Sequence, residues 1–140
     1  MRILLAVDGS PSGNRAARFV AKLAVGLVDM PRVTLLHVDE PLMRSVSVEL
    51  GVQGTARYHD ENGRYAMRVA KAALKRAGIE FQEQLLIGNP AETIVKVARA
   101  SRSNLIVMGS HGRSAFQSVF LGSITIKVLT HSQTPVTIIR

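Results

Sequence analysis

The sequence predicts an α/β protein: an open, five-stranded parallel sheet with helices on both faces. Three observations carry that prediction. Short apolar runs such as RILLAV at 2–7 and NLIVM at 104–108 are nearly continuous, as strands buried on both faces must be. The stretches between such runs carry apolar residues three and four apart, the period of a helix with one buried side. Strand and helix alternate along all 140 residues, with no internal repeat or low-complexity linker, so residues 1–140 read as one domain.

The first strand, residues 2–7, stops at Asp8-Gly9-Ser10. Pro11 suits the first turn of a helix and Ser10 its N-cap. Ala17, Val20, Ala21, Ala24 and Leu27 then recur at helical spacing. Residues 32–38 (RVTLLHV) form the second strand. From Asp39 to Thr55 the pattern is irregular, with Pro41, Gly51 and Gly54 among scattered apolar residues, and the expectation is a long loop. Residues 57–77 predict a helix with Ala66, Val69, Ala70, Ala73 and Leu74 on one stripe, stopped by Gly78. Residues 79–86 alternate as a half-exposed strand. Asn89-Pro90 opens a helix reaching about Ser101, and residues 104–108 make the fourth strand. A last helix runs from Ser123 to about His131, and PVTII at 135–139 is a short final strand.

Composition excludes several functions. Aromatic residues make up 4% of the chain and Trp is absent, which leaves few platforms for stacking bases. Without Cys there is no disulfide framework, thiolate metal site or cysteine nucleophile. No apolar run approaches the ~18 residues of a membrane span, and the apolar stretch at the N-terminus ends at Asp8, unlike a signal peptide. The expected setting is the cytoplasm, with no membrane partner. The net charge of +8 favours an anionic ligand, but the 18 Lys and Arg are scattered at helical spacing rather than gathered in a stripe. Nucleic acid is therefore not the expected partner.

The stretch MGSHGRSAFQSVFLGSIT at 108–125 carries the chemistry. In a doubly wound sheet of order 3-2-1-4-5, ligands bind beyond the carboxyl ends of the strands where the order reverses. That order would bring Asp8-Gly9-Ser10 and Gly109-Ser110-His111-Gly112 to one crevice. Gly109 and Gly112 would let successive backbone N–H groups face an anion. Gly122-Ser123 stands where the last helix begins, and free amides there favour phosphate. The hydroxyls of Ser123 and Thr125 could donate to phosphate oxygens or help hold a metal, and Arg113 and Lys127 could add positive charge. The alternative is that Gly109 only ends a strand and Gly122 only precedes a helix. Asp8 could meet ribose hydroxyls, an adenine amine or a bridging Mg2+, or could simply form a turn. His111 could touch phosphate or stay solvated in its loop. His37, His59 and His131 lack metal-ligand spacing and read as structural. Neither a Walker lysine motif nor a G-x-G-x-x-G fingerprint occurs, and no Ser-His-Asp arrangement can be read, so no catalytic residue is assigned.

Along nearly its whole length the chain resembles the universal stress protein family. The likeness rests on AVDGS at 6–10, HV at 37–38, GNPAETIV at 88–95, MGSHGRS…LGS at 108–123 and KVLTHSQTPVTII at 127–139. The nucleotide-binding branch of that family is recognised by a G-x-x-G-x9-G-[ST] spacing, which is intact from Gly109 to Ser123. The resemblance implies an adenine nucleotide alpha hydrolase-like fold and a homodimer. It also implies ATP, ADP or AMP, with Mg2+, held in a stress-response protein. Carried over by position, Asp8 and the backbone near Val38 would meet the adenosine part, Gly109 and Gly112 ribose and phosphates, and Gly122, Ser123 and Thr125 the phosphate chain. Ala6, Val7, Gly9, Ser10, Met108, His111, Arg113 and Ile124 complete the expected nucleotide-binding set. Two departures stand out: Ala115 where the family often has glycine, and Ile126-Lys127 where Glu-Lys is common. Ala115 would stiffen the arm between the glycines. The last strand starts at Pro135 and carries no blunting charge before Arg140, so an exposed edge would invite pairing. The resemblance implies that two copies pair there, around Val136 and Ile138; a covered or merely short edge is the alternative. The expected function is nucleotide-dependent regulation with at most slow ATP hydrolysis. A nucleotide-free dimeric adaptor and a genuine ATPase or phosphotransferase using Asp8 or His111 are the competing readings.

Overall fold

The computed structural model describes residues 1–113 and 121–140. Five strands, β1 (Arg2–Ala6), β2 (Arg32–Asp39), β3 (Phe81–Ile87), β4 (Leu105–Gly109) and β5 (Val136–Ile139), form one sheet. The strand order is β3-β2-β1-β4-β5 and every pairing is parallel, as the sequence predicts. Among the described residues four helices connect them: α1 (Pro11–Val25), α2 (Arg44–Arg76), α3 (Pro90–Ala100) and α4 (Ser123–His131).

The alternation of strand side chains divides the core in two. Ile3, Leu5 and Val7 of the first strand segment, with Val33, Leu35 and Val107, pack against Ala16, Ala17 and Val20 of α1 and Met67, Ala70 and Leu74 of α2. Leu4 and Ala6, with Leu36, Ile106 and Met108, pack on the other face against Ile94, Val97 and Ala98 of α3 and Val128 of α4. The central strands β1 and β4 are buried on both faces, which is why their sequences are apolar throughout rather than alternating. β3, at one end of the sheet, is half-exposed to exposed along its length.

Helix starts follow the cap chemistry. The Ser10 hydroxyl accepts from the Gly13 amide at 3.1 Å and Asn89 Oδ1 from the Glu92 amide at 3.2 Å, each with proline at the first helical position. The segment 39–55 departs from expectation. It is not a loop, because α2 begins at Arg44 and runs 33 residues, broken by the non-helical backbone of Gly51 (φ 66°, ψ 179°). A positive φ is a conformation that glycine adopts without steric penalty. Apolar periodicity reveals helices that bury a stripe, and this part buries none: Val48 is 74% exposed and Val52 89%.

A buried polar cluster fastens α2 to the carboxyl end of β2. Asp39 Oδ2 accepts from His59 Nδ1 at 2.7 Å and from Asn62 Nδ2 at 2.9 Å, and both Asp39 and His59 are buried. Burial raises the Asp39 carboxyl pKa, but the hydrogen bonds from Asn62 and His59 and the fields of His37 and His59 outweigh it. The net shift is downward from the ordinary carboxylate value. His37 Nδ1 bonds the Val7 carbonyl at 2.8 Å within the core. His37 and His59 therefore serve the structural roles expected of them, whereas His131 is exposed at the end of α4.

Candidate functional site

A cleft opens at the carboxyl ends of β1, β2 and β4, on the α3/α4 side of the sheet. Counted out to its open mouth it holds about 510 Å³ of unfilled space, part of it open to solvent. Its floor and walls are apolar, contributed by Ala6, Val7, Leu36, Val38, Ile94 and Met108. Polar groups gather at one end, where Asp8, Gly109, His111, Gly112 and Thr125 line it. Asp8 Oδ1 accepts from the Ser10 amide at 2.9 Å, which holds the carboxylate at the tip of the β1–α1 turn.

The strand order brings these elements together. β4 pairs directly with β1, Met108 beside Ala6, so the loops after both strands leave from one edge of the sheet. A dense set of hydrogen bonds then fixes the Gly109–Gly112 loop. Thr125 Oγ1 donates to the Gly109 and Ser110 carbonyls at 3.2 Å each, and the Gly122 amide donates to the Ser110 carbonyl at 2.8 Å. The His111 carbonyl accepts from Ser12 Oγ at 2.7 Å and Ser10 Oγ at 3.2 Å. Ser110 Oγ and His111 Nδ1 are 2.9 Å apart.

Of the residues selected from the sequence, Ala6, Val7, Asp8, Val38, Met108, Gly109, His111, Gly112, Ile124 and Thr125 line the cleft. Gly9, Ser10, Arg113, Gly122 and Ser123 do not. Gly9 is the turn under Tyr65: a Cβ there would lie 2.8 Å from Tyr65 Cε1. Ser10 caps α1. Gly122 is the N-cap of α4, with Ser123 exposed behind it at the first helical position. Arg113 is exposed beside the loop.

The Thr125 hydroxyl donates to loop carbonyls, so this side chain braces the loop. Gly109 is a glycine for packing. A Cβ on it would come within 2.6 Å of the Gly13 nitrogen and 2.8 Å of the Ser12 carbonyl carbon. The stiffness expected of Ala115 lies outside the described residues, while Ile126 and Lys127 are exposed on α4. Sequence reasoning missed Leu36, Pro90 and Ile94 in the lining, as well as Ser12 behind the loop. Leu36 shares a strand face with Val38, two residues on, and that alternation could have found it.

Among the described residues no group of three or more His, Asp or Glu side chains is placed to hold an ion. No helix among them is long and apolar enough to cross a membrane.

Fold and cleft together define a doubly wound α/β protein with a cleft at the β1/β4 switch point. The chain belongs to the universal stress protein family, whose model matches residues 1–140. A universal stress protein of Thermus aquaticus, encoded in the QAH/OAS sulfhydrylase 3′ region, is 34% identical over 139 residues, covering 99% of this chain and 97% of the relative. The solved structure of MJ0577 from Methanocaldococcus jannaschii superposes with a TM-score of 0.84 at 29% identity, over 99% of this chain and 94% of that one. A universal stress protein from Archaeoglobus fulgidus, solved in complex with dAMP, shares the fold at 23% identity and a TM-score of 0.67, covering 100% of this chain and 98% of its own.

Proposed function

We propose that the cleft binds an adenine nucleotide and that its occupancy regulates the protein's association with partners. The observation that carries this reading is the convergence of an apolar slot, the Asp8 carboxylate and the glycine loop at the β1/β4 switch point. The apolar lining of Leu36, Val38 and Ile94 suits a purine, and Asp8 would accept from ribose hydroxyls. The phosphates would lie toward Gly112 and the first turn of α4, whose leading amides have no intrahelical acceptor. The dAMP held by the Archaeoglobus relative supports adenine as the base.

Binding rather than rapid turnover is favoured by the lining. Among the described residues it contains one carboxylate, Asp8, one imidazole, His111, and neither lysine nor arginine. Magnesium bound with ATP would take most of its ligands from the phosphates and water. ATP is the nucleotide proposed, hydrolysed slowly at most.

Titration calorimetry with AMP, ADP and ATP, each with and without Mg2+ and with GMP as contrast, tests the reading. Saturable binding of adenine nucleotides well ahead of GMP is the expected result. Equal or absent binding of all four would overturn it and leave the nucleotide-free adaptor as the better account.

A further inference from the structure

Ser12 is the second residue of α1, is buried, and does not line the cleft. Its hydroxyl nevertheless reaches across 99 residues of sequence to donate to the His111 carbonyl at 2.7 Å, and its oxygen lies 3.4 Å from the His111 amide. The Ser10 hydroxyl reinforces the same carbonyl at 3.2 Å. The shorter bond, from Ser12, therefore sets the direction of that C=O. All peptide bonds among the described residues are trans. In a trans peptide the carbonyl and the following N–H point in opposite directions. Turning the His111 carbonyl toward α1 consequently turns the Gly112 N–H away from α1, toward the face where the cleft opens. The N-cap of α4 is there too: a Cβ on Gly122 would lie 3.8 Å from the Gly112 nitrogen.

We propose that Ser12 is a positioning residue for the nucleotide site, fixing the His111–Gly112 peptide so that the Gly112 N–H faces the ligand's phosphate beside the first turn of α4. This deepens the nucleotide reading and rests on it. The packing of Gly109 against Ser12 belongs to the same device. The two backbones approach closely enough that the serine's short side chain spans the gap to the loop. The role is specific to the phosphate end of a ligand, because the Ser12 bond orients one amide and touches none of the apolar slot.

The test compares AMP with adenosine by titration calorimetry on wild type and Ser12→Ala, with circular dichroism as a check of folding. In Ser12→Ala, AMP affinity is expected to fall about tenfold while adenosine affinity stays within about twofold, roughly the effect of one charge-assisted hydrogen bond lost or misaligned. A general loosening of the fold would weaken both ligands alike, leaving the ratio unchanged, and that result would overturn the proposal. Wild-type protein that binds neither ligand would overturn the nucleotide reading and the Ser12 role with it. Should Ser12→Ala fail to fold, the Gly112 amide resonance of wild type decides. A large shift with AMP but not with adenosine supports the orientation, and no AMP-specific shift overturns it.

Discussion

Gly109 and Ser12 occupy neighbouring positions so close that no side chain can stand at 109: a Cβ would sit 2.8 Å from the Ser12 carbonyl carbon. The first glycine of the G-x-x-G motif thus lets the end of β4 pack against the N-terminus of α1. Gly112, by contrast, is exposed at the cleft, and among the described residues a Cβ on it would meet only the tip of Asp8, Oδ2 at 3.2 Å.

The two glycines should therefore separate in mutagenesis. Gly109→Ala forces backbone against backbone and is expected to destabilise by about 1–3 kcal/mol or more. Gly112→Ala should stay within about 0.5 kcal/mol of wild type, as exposed substitutions usually do, while weakening nucleotide binding. Urea unfolding and calorimetry on the two variants check this; equal stability losses would contradict it.

Acid stability depends on Asp39. Its folded-state carboxyl pKa lies below the ordinary value, despite burial, through its hydrogen bonds to Asn62 and His59 and the nearby His37 and His59. A depressed carboxylate contributes stability that is fully present above the unfolded value of about 3.9, and that stability is lost as pH falls through the folded one. Asp39→Asn should cost about 1–3 kcal/mol at neutral pH. Its unfolding free energy should also decline less steeply than wild type below about pH 4. Parallel acid profiles for the two proteins would contradict the assignment.

The end of the sheet at β5 predicts self-association. The carbonyls of Pro135 and Ile139 accept from the amides of Ile106 in β4 and of Ser110 just after it. By strand alternation, Val136 and Ile138 then direct their backbone polar groups outward. An outward row of this kind pairs readily with a second copy. Sedimentation equilibrium should give a dimer mass, and Ile138→Pro, which deletes an outward N–H, should give a monomer. A wild-type monomer would contradict the pairing.

Much of this architecture was legible in the residues. The double burial of β1 and β4 is written in unbroken apolar runs, and Ser10-Pro11 and Asn89-Pro90 mark helix starts by local hydrogen bonding. The switch-point crevice followed from strand order alone. What escaped was either solvent-exposed or long-range. The helical segment from Arg44 to Gly51 buries no stripe and so leaves no period to read. The Ser12–His111 bond and the Asp39–His59 pair join residues far apart in sequence, and no local pattern announces them. The inward turn of the Thr125 hydroxyl to the loop carbonyls is likewise a contact across 15 and 16 residues that no local pattern shows.

Thermal unfolding with and without nucleotide tests the central claim most directly. A ligand that binds only the folded state, present at ~100 times its dissociation constant, adds about 2.7 kcal/mol of stability. AMP, ADP or ATP should raise the melting temperature of wild type by several degrees, with a smaller rise in Gly112→Leu, which crowds the cleft mouth. An unchanged melting temperature with all three at millimolar concentration would contradict the account and return the glycines to turns and packing alone.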